Sequence, residues 1–336
     1  MLSNVLSTVS YPAELWKGLN QRYRYGLAAI GVGTLVAMPW FIESSFFMNA
    51  IILVFLFAAL GHGWNIIGGY AGQISLGHAV MFGTGAYVTA ILYVYYGVTP
   101  LIGIWIGGFL AMVVGLVLGA IAFRLRGHYF AMVTLAAGLI IHTIAKRWDW
   151  LGGATGIEYP FDQIGSLYSV TFTNDISYYY LIGGFTLIVT VIVYVIDRAK
   201  LGKYLKAINY DEDAAVNAGL HTYKYKLYAM GISSFITGIT GALYAQYTLF
   251  INPNSTLRLL RNIDIIMVAI IGGVGTVIGP LLGAAIFIPV REYTRSSLGG
   301  SYTGLGWVIF GFALLIISLY RPGGLLNGSQ ERWDDE

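Results

Sequence analysis

The sequence predicts an all-α polytopic membrane protein that crosses the bilayer with about eight to ten helices. Of its 336 residues, 57% are hydrophobic and 10% are charged, whereas a soluble domain carries about 25% charged residues. The mean hydropathy of the chain is +0.70. Apolar stretches of roughly 20 residues, enough to cross about 30 Å of hydrocarbon as a helix, recur along most of the chain. These three observations exclude a soluble globular domain.

The apolar stretches give the predicted elements in order. Residues 1–25 precede the first of them as an N-terminal segment, and residues 321–336 follow the last as a C-terminal tail. The stretch 263–290 is long and is interrupted by "GGVGTVIGP". It is one span, a broken span or a tight hairpin, which is why the helix count is a range. The stretches are 26–42, 46–67, 74–96, 101–123, 129–145, 178–196, 227–250, 263–290 and 303–320.

Basic residues predict the orientation, because Lys and Arg accumulate in cytoplasmic loops. Three groups of basic residues lie on the same side of the membrane if the first span starts in the cytoplasm and residues 46–96 cross the bilayer twice. That side is predicted to be the cytoplasm, and residues 146–177 are predicted to face outside. Glycines and a proline in 146–177 predict turns rather than an extra domain. The basic groups are Lys17, Arg22 and Arg24, then Arg124 and Arg126, then Arg198, Lys200, Lys203, Lys206, Lys224 and Lys226.

Two glycine-rich segments interrupt the apolar sequence, near 68–85 and near 272–283. Hydrocarbon offers no hydrogen bonds, so loosened backbone is tolerated only inside protein or beside a water-filled cavity. Paired interruptions of this kind are typical of broken helices at a transport pathway, although small residues also let helices pack closely. For 272–283 both interpretations stay open.

In the first segment, "GGYAGQISLGHA", polar side chains accompany the glycines and favour the pathway interpretation. The alternative for His78 and Gln73 is hydrogen bonding between neighbouring helices. The predicted pathway residues are Asn65, Gly72, Gln73, Ser75, Gly77, His78, Gly272, Gly273, Gly275 and Pro280.

The side chains missing from the apolar stretches narrow the function. They include no Lys, Arg or Glu, and Asp264 is their one carboxylate. Ion coupling usually needs buried carboxylates, so a secondary transporter is disfavoured, although carbonyl-coordinated sodium stays open. No G-x-x-x-x-G-K-[ST] loop is present, so ATP-driven transport would require ATP and Mg²⁺ to bind to another polypeptide. A net charge of +3 gives no indication of a nucleic-acid partner.

The loop 198–226 contains a pattern that predicts a short helix of about two turns. Its acidic residues suit the positively polarised N-terminus of a helix, and its glycine suits the left-handed residue after the end. Its alanines would form a narrow surface that a cleft on a partner could accept, while the flanking basic residues could equally hold the loop against anionic lipid. These residues are Asp211, Glu212 and Asp213, then Ala214, Ala215 and Ala218, and finally Gly219.

The segment "DAAVNAG" (213–219) is similar to the Glu-Ala-Ala-x-x-x-Gly signature of bacterial ABC importer permeases, with Asp in place of the usual Glu. Further segments resemble, in family order and over nearly the whole membrane region, the landmarks of the branched-chain amino-acid ABC permease family. They are "NIIGGYAGQISLGHAVMFGTGAY" (65–87), "RLRGHYFAMVTLAAG" (124–138), "GGATGI" (152–157), "YKLYAMGISSFITGITGALYA" (225–245), "IGGVGTVIGPLLGA" (271–284) and "RPGGLL" (321–326).

The resemblance implies a permease subunit of the larger type, with residues 26–320 as its transmembrane permease domain. Such a subunit works in the bacterial cytoplasmic membrane with a second related permease, two ABC ATPase subunits and an extracytoplasmic substrate-binding protein. The loop 198–226 would couple to an ATPase subunit through Asp211 to Gly219. The chain itself would bind no cofactor and catalyse no reaction.

The sequence leaves two alternatives to an importer of branched-chain amino acids. Near relatives in the family carry urea or short amides, and the motifs do not separate these solutes from branched-chain amino acids. A self-sufficient channel or facilitator for a small neutral solute is the alternative from another class. An integral-membrane enzyme is disfavoured because the five histidines show no H-E-x-x-H-like spacing.

Overall fold

The computed structural model describes residues 37–42, 44–125, 128–160 and 170–298. Helices make up nearly all regular structure in these ranges, which confirms the all-α class. The predicted span 303–320, most of the span 26–42, the residues Lys17, Arg22, Arg24 and Arg126, and the C-terminal tail lie outside the described residues.

The helices follow the predicted apolar stretches to within a few residues. In the described part of the chain, six helices are long and apolar enough to cross a membrane, and they are α1 to α5 and α8 in the numbering that follows. In chain order the helices are α1 (Ser45–Asn65), α2 (His78–Tyr96), α3 (Pro100–Ala122), α4 (His128–Arg147), α5 (Asp175–Arg198), α6 (Lys200–Tyr210), α7 (Glu212–Asn217), α8 (Thr222–Thr248), α9 (Pro253–Thr256), α10 (Leu259–Gly272) and α11 (Gly279–Leu298). The strands are β1 (Ile157–Glu158) and β2 (Phe250–Ile251), and short 3₁₀ turns lie at Met38–Trp40 and Asp149–Leu151.

Helix α1 does not end at Asn65 but continues as a π-turn over Ile66–Tyr70. Residues 71–77 are not helical, and α2 begins at His78. The predicted interruption near residue 68 is therefore a widened helical turn followed by a seven-residue loop. Turns of this kind occur frequently at functional sites.

Helix α8 lies at the centre of the bundle and packs against α1, α2 and α3. The Tyr247 hydroxyl donates to Asn49 Oδ1 (2.6 Å), and the Ser233 hydroxyl donates to the Gly63 carbonyl (2.6 Å). The later residue of α8 thus contacts the earlier residue of α1, so these two helices are antiparallel.

The loop that carries α6 and α7 marks one side of the bundle, which we call the inner side. Exposed basic residues gather there, as the charge pattern predicts for a cytoplasmic face. On the opposite, outer side, β1 pairs antiparallel with β2 and joins residues 157–158 to the end of α8. The described part of 146–177 contains the end of α4, turns that include the 3₁₀ turn at Asp149–Leu151, β1 and the start of α5.

Glycines bring α2 and α8 into backbone contact. A Cβ built on Gly85 would overlap the Gly238 carbonyl, and one on Gly241 would overlap the Phe82 carbonyl. Small residues at such crossings let membrane helices approach closely. Gly184 in α5 is the opposite case, because a Cβ there would meet nothing within 4 Å.

We expect Gly85→Ala to destabilise the purified protein and Gly184→Ala, its matched control, to leave stability unchanged or slightly raised. The methyl group at position 85 must push α2 away from α8, and such overpacking costs about 1–3 kcal/mol. At position 184 the methyl group has room, and alanine favours a helix over glycine by up to about 1 kcal/mol. Thermal unfolding in detergent measures both, and equal melting temperatures would contradict the close approach at Gly85.

Helices α10 and α11 form a hairpin that enters and leaves on the outer side. Helix α10 has 14 residues, which at 1.5 Å per residue reach about 21 Å and cannot cross about 30 Å of hydrocarbon. The chain turns at residues 273–278, where Gly273 and Gly275 have φ of 126° and 74°. Helix α11 then returns beside α10 and brings Arg291 against Asp264 (3.0 Å). The stretch 263–290 is thus the hairpin among the predicted alternatives.

Candidate functional site

His78 is the centre of a buried hydrogen-bonded chain between α2 and α8. Its Nδ1 lies 2.9 Å from Ser75 Oγ, and its Nε2 lies 2.8 Å from Ser233 Oγ. The Ser233 hydroxyl donates its one proton to the Gly63 carbonyl, so it accepts from His78 Nε2. His78 Nε2 therefore carries a proton, which it donates to the Ser233 hydroxyl.

The predicted pathway residues of the first segment divide into two groups. Ser75, Gly77 and His78 are buried, whereas Gly72 is exposed and Gln73 is half-buried. The bond of His78 to Ser233 joins α2 to α8, whereas its bond to Ser75 is local to the loop before α2. Among these predicted residues, Gly72 and Gln73 are the ones that a solute could contact in this conformation, and the pathway role of the buried group stays a prediction.

Asn65 joins the two glycine-rich segments. The Gly275 amide donates to Asn65 Oδ1 (2.7 Å), and Asn65 Nδ2 donates to the Thr276 carbonyl (2.8 Å). Asn65 is fully buried, and a buried amide needs hydrogen-bond partners. The tip of the α10–α11 hairpin supplies a partner for each end of its side-chain amide. The two interruptions of the sequence therefore meet in space.

The other predicted residues of the second segment hold the hairpin together. A Cβ on Gly272 would overlap the Gly279 carbonyl, so the two arms touch at the tip. Pro280 packs against Gly61 of α1, with its Cβ 3.1 Å from where a Cβ on Gly61 would lie. Gly273 supplies the conformation of the turn itself.

The short helix predicted in the inner loop is present as α7. Asp211 caps it, because the Asp211 side chain accepts from the Ala214 amide (2.9 Å). Glu212 and Asp213 lie in its first turn, where the helix dipole favours negative charge. Gly219 follows its end with φ of 86°.

The exposed surface of the inner loop differs from the predicted one. Ala214 and Ala218 are exposed, but Ala215 is only 5% exposed and packs inward. Tyr210 and Val216, which the sequence analysis did not single out, are 91% and 48% exposed. The pattern that identifies them in the sequence is a large apolar residue before, and another after, the acidic capping residue Asp211.

A buried ion pair fastens α7 to α8. Lys226 Nζ lies 2.5 Å from Glu212 Oε2, and Lys226 is 3% exposed. Both residues lie in the loop 198–226, but they are 14 positions apart, which hides the pairing from any local pattern. Lys226 was interpreted only as part of a basic cluster.

A second set of buried charges lies at the outer end of the hairpin. Arg291 binds Asp264 (3.0 Å) and Glu292 (2.9 Å), and Arg261 lies 3.7 Å from Asp264. Sequence reasoning missed Arg261, Arg291 and Glu292 because the apolar stretch was drawn from 263 to 290. The charges begin just outside those limits and are nevertheless enclosed by packed helices.

Comparisons with known proteins identify the family. Residues 46–319 match the family described as branched-chain amino acid transport system, permease component. The high-affinity branched-chain amino acid transport system permease protein LivM of Escherichia coli (strain K12) is 27% identical over 321 residues, covering 87% of this chain and 73% of that protein.

Two further relatives agree with this assignment. LivM of Salmonella typhimurium is 26% identical over the same shares of both chains. A probable branched-chain amino acid transport permease protein LivM of Methanocaldococcus jannaschii is 26% identical over 68% of this chain and 70% of that protein. No solved structure matches the chain. Because the family match extends from α1 through α11, this chain belongs to the branched-chain amino acid transport permease family and is a multi-pass membrane permease subunit.

Proposed function

We propose that this chain is the larger, LivM-type permease subunit of an ATP-driven importer of branched-chain amino acids in the bacterial cytoplasmic (inner) membrane. The family match and three relatives named as branched-chain amino acid permeases support this substrate class. A second related permease completes the pathway, two ABC ATPase subunits bind the inner side, and a substrate-binding protein docks on the outer side. ATP and Mg²⁺ bind to the ATPase subunits, and this chain binds no cofactor.

The observation that carries the coupling role is the apolar tip of the inner loop. Tyr210 and Val216 are exposed on either side of the capping residue Asp211, in a loop that is otherwise rich in charge. Fully burying one such apolar side chain stabilises an interface by about 1.5–3 kcal/mol, so a protein surface is a better environment for this tip than water. An ATPase subunit is the partner that an importer of this family requires on the inner side.

The proposed mechanism is a shift between two packings of the two permeases. ATP binding inside and the substrate-binding protein outside each favour one packing, by no more than their difference in affinity for the two states. In this chain we place Gly72 and Gln73 at the inner mouth of the pathway, and α10 is the helix too short to cross the bilayer.

We expect Val216→Asp to reduce copurification of the ATPase subunits and ATP-dependent uptake without lowering the melting temperature of this chain. The substitution places a charge on an exposed apolar contact, and desolvating a charge at an interface is costly. Ala207→Asp puts the same charge on an exposed position of α6 and serves as the control. Uptake that survives Val216→Asp would contradict docking at this tip.

Reconstitution of this chain in liposomes with the second permease, the two ATPase subunits and the substrate-binding protein tests the proposed function itself. We expect uptake of radiolabelled leucine that depends on ATP, on the binding protein and on this chain. Urea or acetamide uptake in place of leucine would assign the chain to the other substrate class. Solute flux through this chain alone, without ATP, would identify it as a facilitator and overturn the proposal.

A further inference from the structure

Two side chains of helix α6 contact the π-turn at the end of α1. Asn209 Nδ2 donates to the Gly69 carbonyl (3.1 Å). Lys206, bound to Asp197 (2.6 Å), places its ammonium 5.3 Å from the centre of the Tyr70 ring. Carbonyls in the last turn of a helix lack intrahelical partners, so a side chain from the inner loop completes this turn.

The π-turn in turn touches the hairpin tip. A Cβ on Gly69 would overlap both Asn65 Oδ1 and the Gly275 nitrogen. Asn65 itself holds Gly275 and Thr276 through both ends of its amide. Gly69 is thus enclosed by Asn209 on one side and by Asn65 and the tip on the other.

These contacts form a continuous connection from the inner loop to the hairpin. Asn209 lies two residues before Asp211, which both ends α6 and caps α7. The connection from Asn209 to the tip therefore has three links. They are the hydrogen bond from Asn209 to the Gly69 carbonyl, the π-turn itself and the buried side-chain amide of Asn65. A rigid element of this kind is what coupling between two sites needs, provided that it has two arrangements.

We propose that Asn209 and Asn65 are positioning residues that transmit the movement of α6 and α7 to the tip at residues 273–278, which opens and closes the inner end of the pathway. The inference rests on the proposed function. The tip suits this role because its arm α10, at 14 residues, is too short to cross the bilayer and its turn depends on Gly273 and Gly275 rather than on regular helix. Displacement of the π-turn moves the tip, because Asn65, directly before the π-turn, is hydrogen-bonded to Gly275 and Thr276 of the tip.

The isosteric substitution Asn209→Asp tests the first bond. An aspartate has the shape of asparagine but no N–H, so it cannot donate to the Gly69 carbonyl. Asn209 is exposed, so an aspartate at this position can be hydrated, and thermal unfolding of the variant checks that the fold is kept. In the reconstituted importer we expect leucine transported per ATP hydrolysed to fall by about fivefold or more, the lower end of typical coupling between sites. Asn209→Gln, which keeps the donor, should restore most of it.

A distance measurement follows the tip directly. The chain contains no cysteine, so spin labels can be attached through Ile278→Cys at the tip, which is 56% exposed, and Leu101→Cys at the outer end of α3. In a complex whose partner subunits lack reactive cysteines, we expect the distance between the labels to change when ATP is trapped on the ATPase subunits. Asn209→Asp should abolish that change.

Asn49→Ala is the matched control. It removes a hydrogen bond of similar kind, to Tyr247 (2.6 Å), at the outer end of the same helix. We expect it to retain both the transport ratio and the nucleotide-dependent distance change. Asn65→Asp, which loses the bond to Thr276, should lower the transport ratio like Asn209→Asp, and melting temperatures separate this effect from destabilisation by the buried carboxylate. Combining the two should lower the transport ratio no further because they act in series.

Failure of this inference is distinct from failure of the proposed function. If the unmodified complex transports leucine but the label distance does not respond to ATP, or responds equally in Asn209→Asp, the connection is overturned and the importer stands. If the unmodified complex does not transport leucine with ATP, the proposed function fails first.

Discussion

Glu212→Gln is expected to lower the melting temperature of the purified chain and to abolish ATP-dependent uptake, because it leaves the Lys226 ammonium buried without its carboxylate. Lys226 is enclosed where α8 begins, and its Nζ lies 2.5 Å from Glu212 Oε2. Removing one partner of a buried ion pair typically costs about 3–5 kcal/mol. The Glu212 side chain is 29% exposed, so solvent screening places the expected loss near the lower end, about 3 kcal/mol.

The two single substitutions should differ. Lys226→Met is expected to be milder than Glu212→Gln, because the freed carboxylate of Glu212 can turn to water whereas the freed ammonium of Lys226 cannot. The double variant should be about as stable as Lys226→Met alone, since no buried charge is left without a partner. Thermal unfolding of the three variants measures this asymmetry.

Lys224→Met is the matched control for the lost charge. Lys224 is exposed and lies two residues before Lys226 on the same helix, so its loss should leave stability and uptake unchanged. Strictly additive losses in the double variant would contradict a direct pair. A cooperative result would show that the pair of Glu212 and Lys226 fastens α7 to the central helix α8.

Local patterns in the sequence were sufficient for much of this architecture. The apolar stretches predicted the long helices, because a run of about 20 apolar residues has few other stable conformations in a bilayer. The cap at Asp211 and the left-handed Gly219 were predictable for the same kind of reason, since both depend on neighbours within a few residues. The glycine-rich segments were identified correctly as places where regular helix is interrupted.

Contacts between distant residues were not predictable. Nothing near Asn65 indicates that its amide will meet Gly275, 210 positions away. The inward packing of Ala215 depends on how α7 lies against its neighbours, which spacing alone does not determine. The boundary drawn after residue 290 concealed Arg291, because a composition window stops at the first charge even when the fold goes on to enclose it.

Arg291→Met is expected to be the most destabilising substitution in the hairpin. Arg291 Nη1 donates to Asp264 Oδ2 (3.0 Å), and Nη2 donates to Glu292 Oε1 (2.9 Å). The guanidinium also lies 4.5 Å from the centre of the Phe57 ring in α1. One side chain thus neutralises two buried carboxylates and joins three helices, and its loss should cost about 3–5 kcal/mol.

Adding Glu292→Gln separates charge balance from simple loss of contacts. On its own, Glu292→Gln should destabilise the protein, because it removes a partner of a buried guanidinium. In the Arg291→Met background it should instead stabilise the protein, since it neutralises the carboxylate that has lost Arg291. Asp264 keeps Arg261 at 3.7 Å in that background. The effect of one substitution therefore reverses sign, which melting temperatures in detergent would detect.

Thr294→Val is the control on the same helix, because the Thr294 hydroxyl bonds only within its own turn, to the Val290 carbonyl (2.7 Å). Destabilisation by Glu292→Gln in both backgrounds would show that the cluster acts through shape rather than charge. The ion cluster holds the outer base of the hairpin, whereas Asn65 holds its inner tip. Arg291→Met should therefore lower the amount of folded protein, while Asn209→Asp should leave the fold intact and lower transport per ATP. That contrast distinguishes a residue that supports the hairpin from one that moves it.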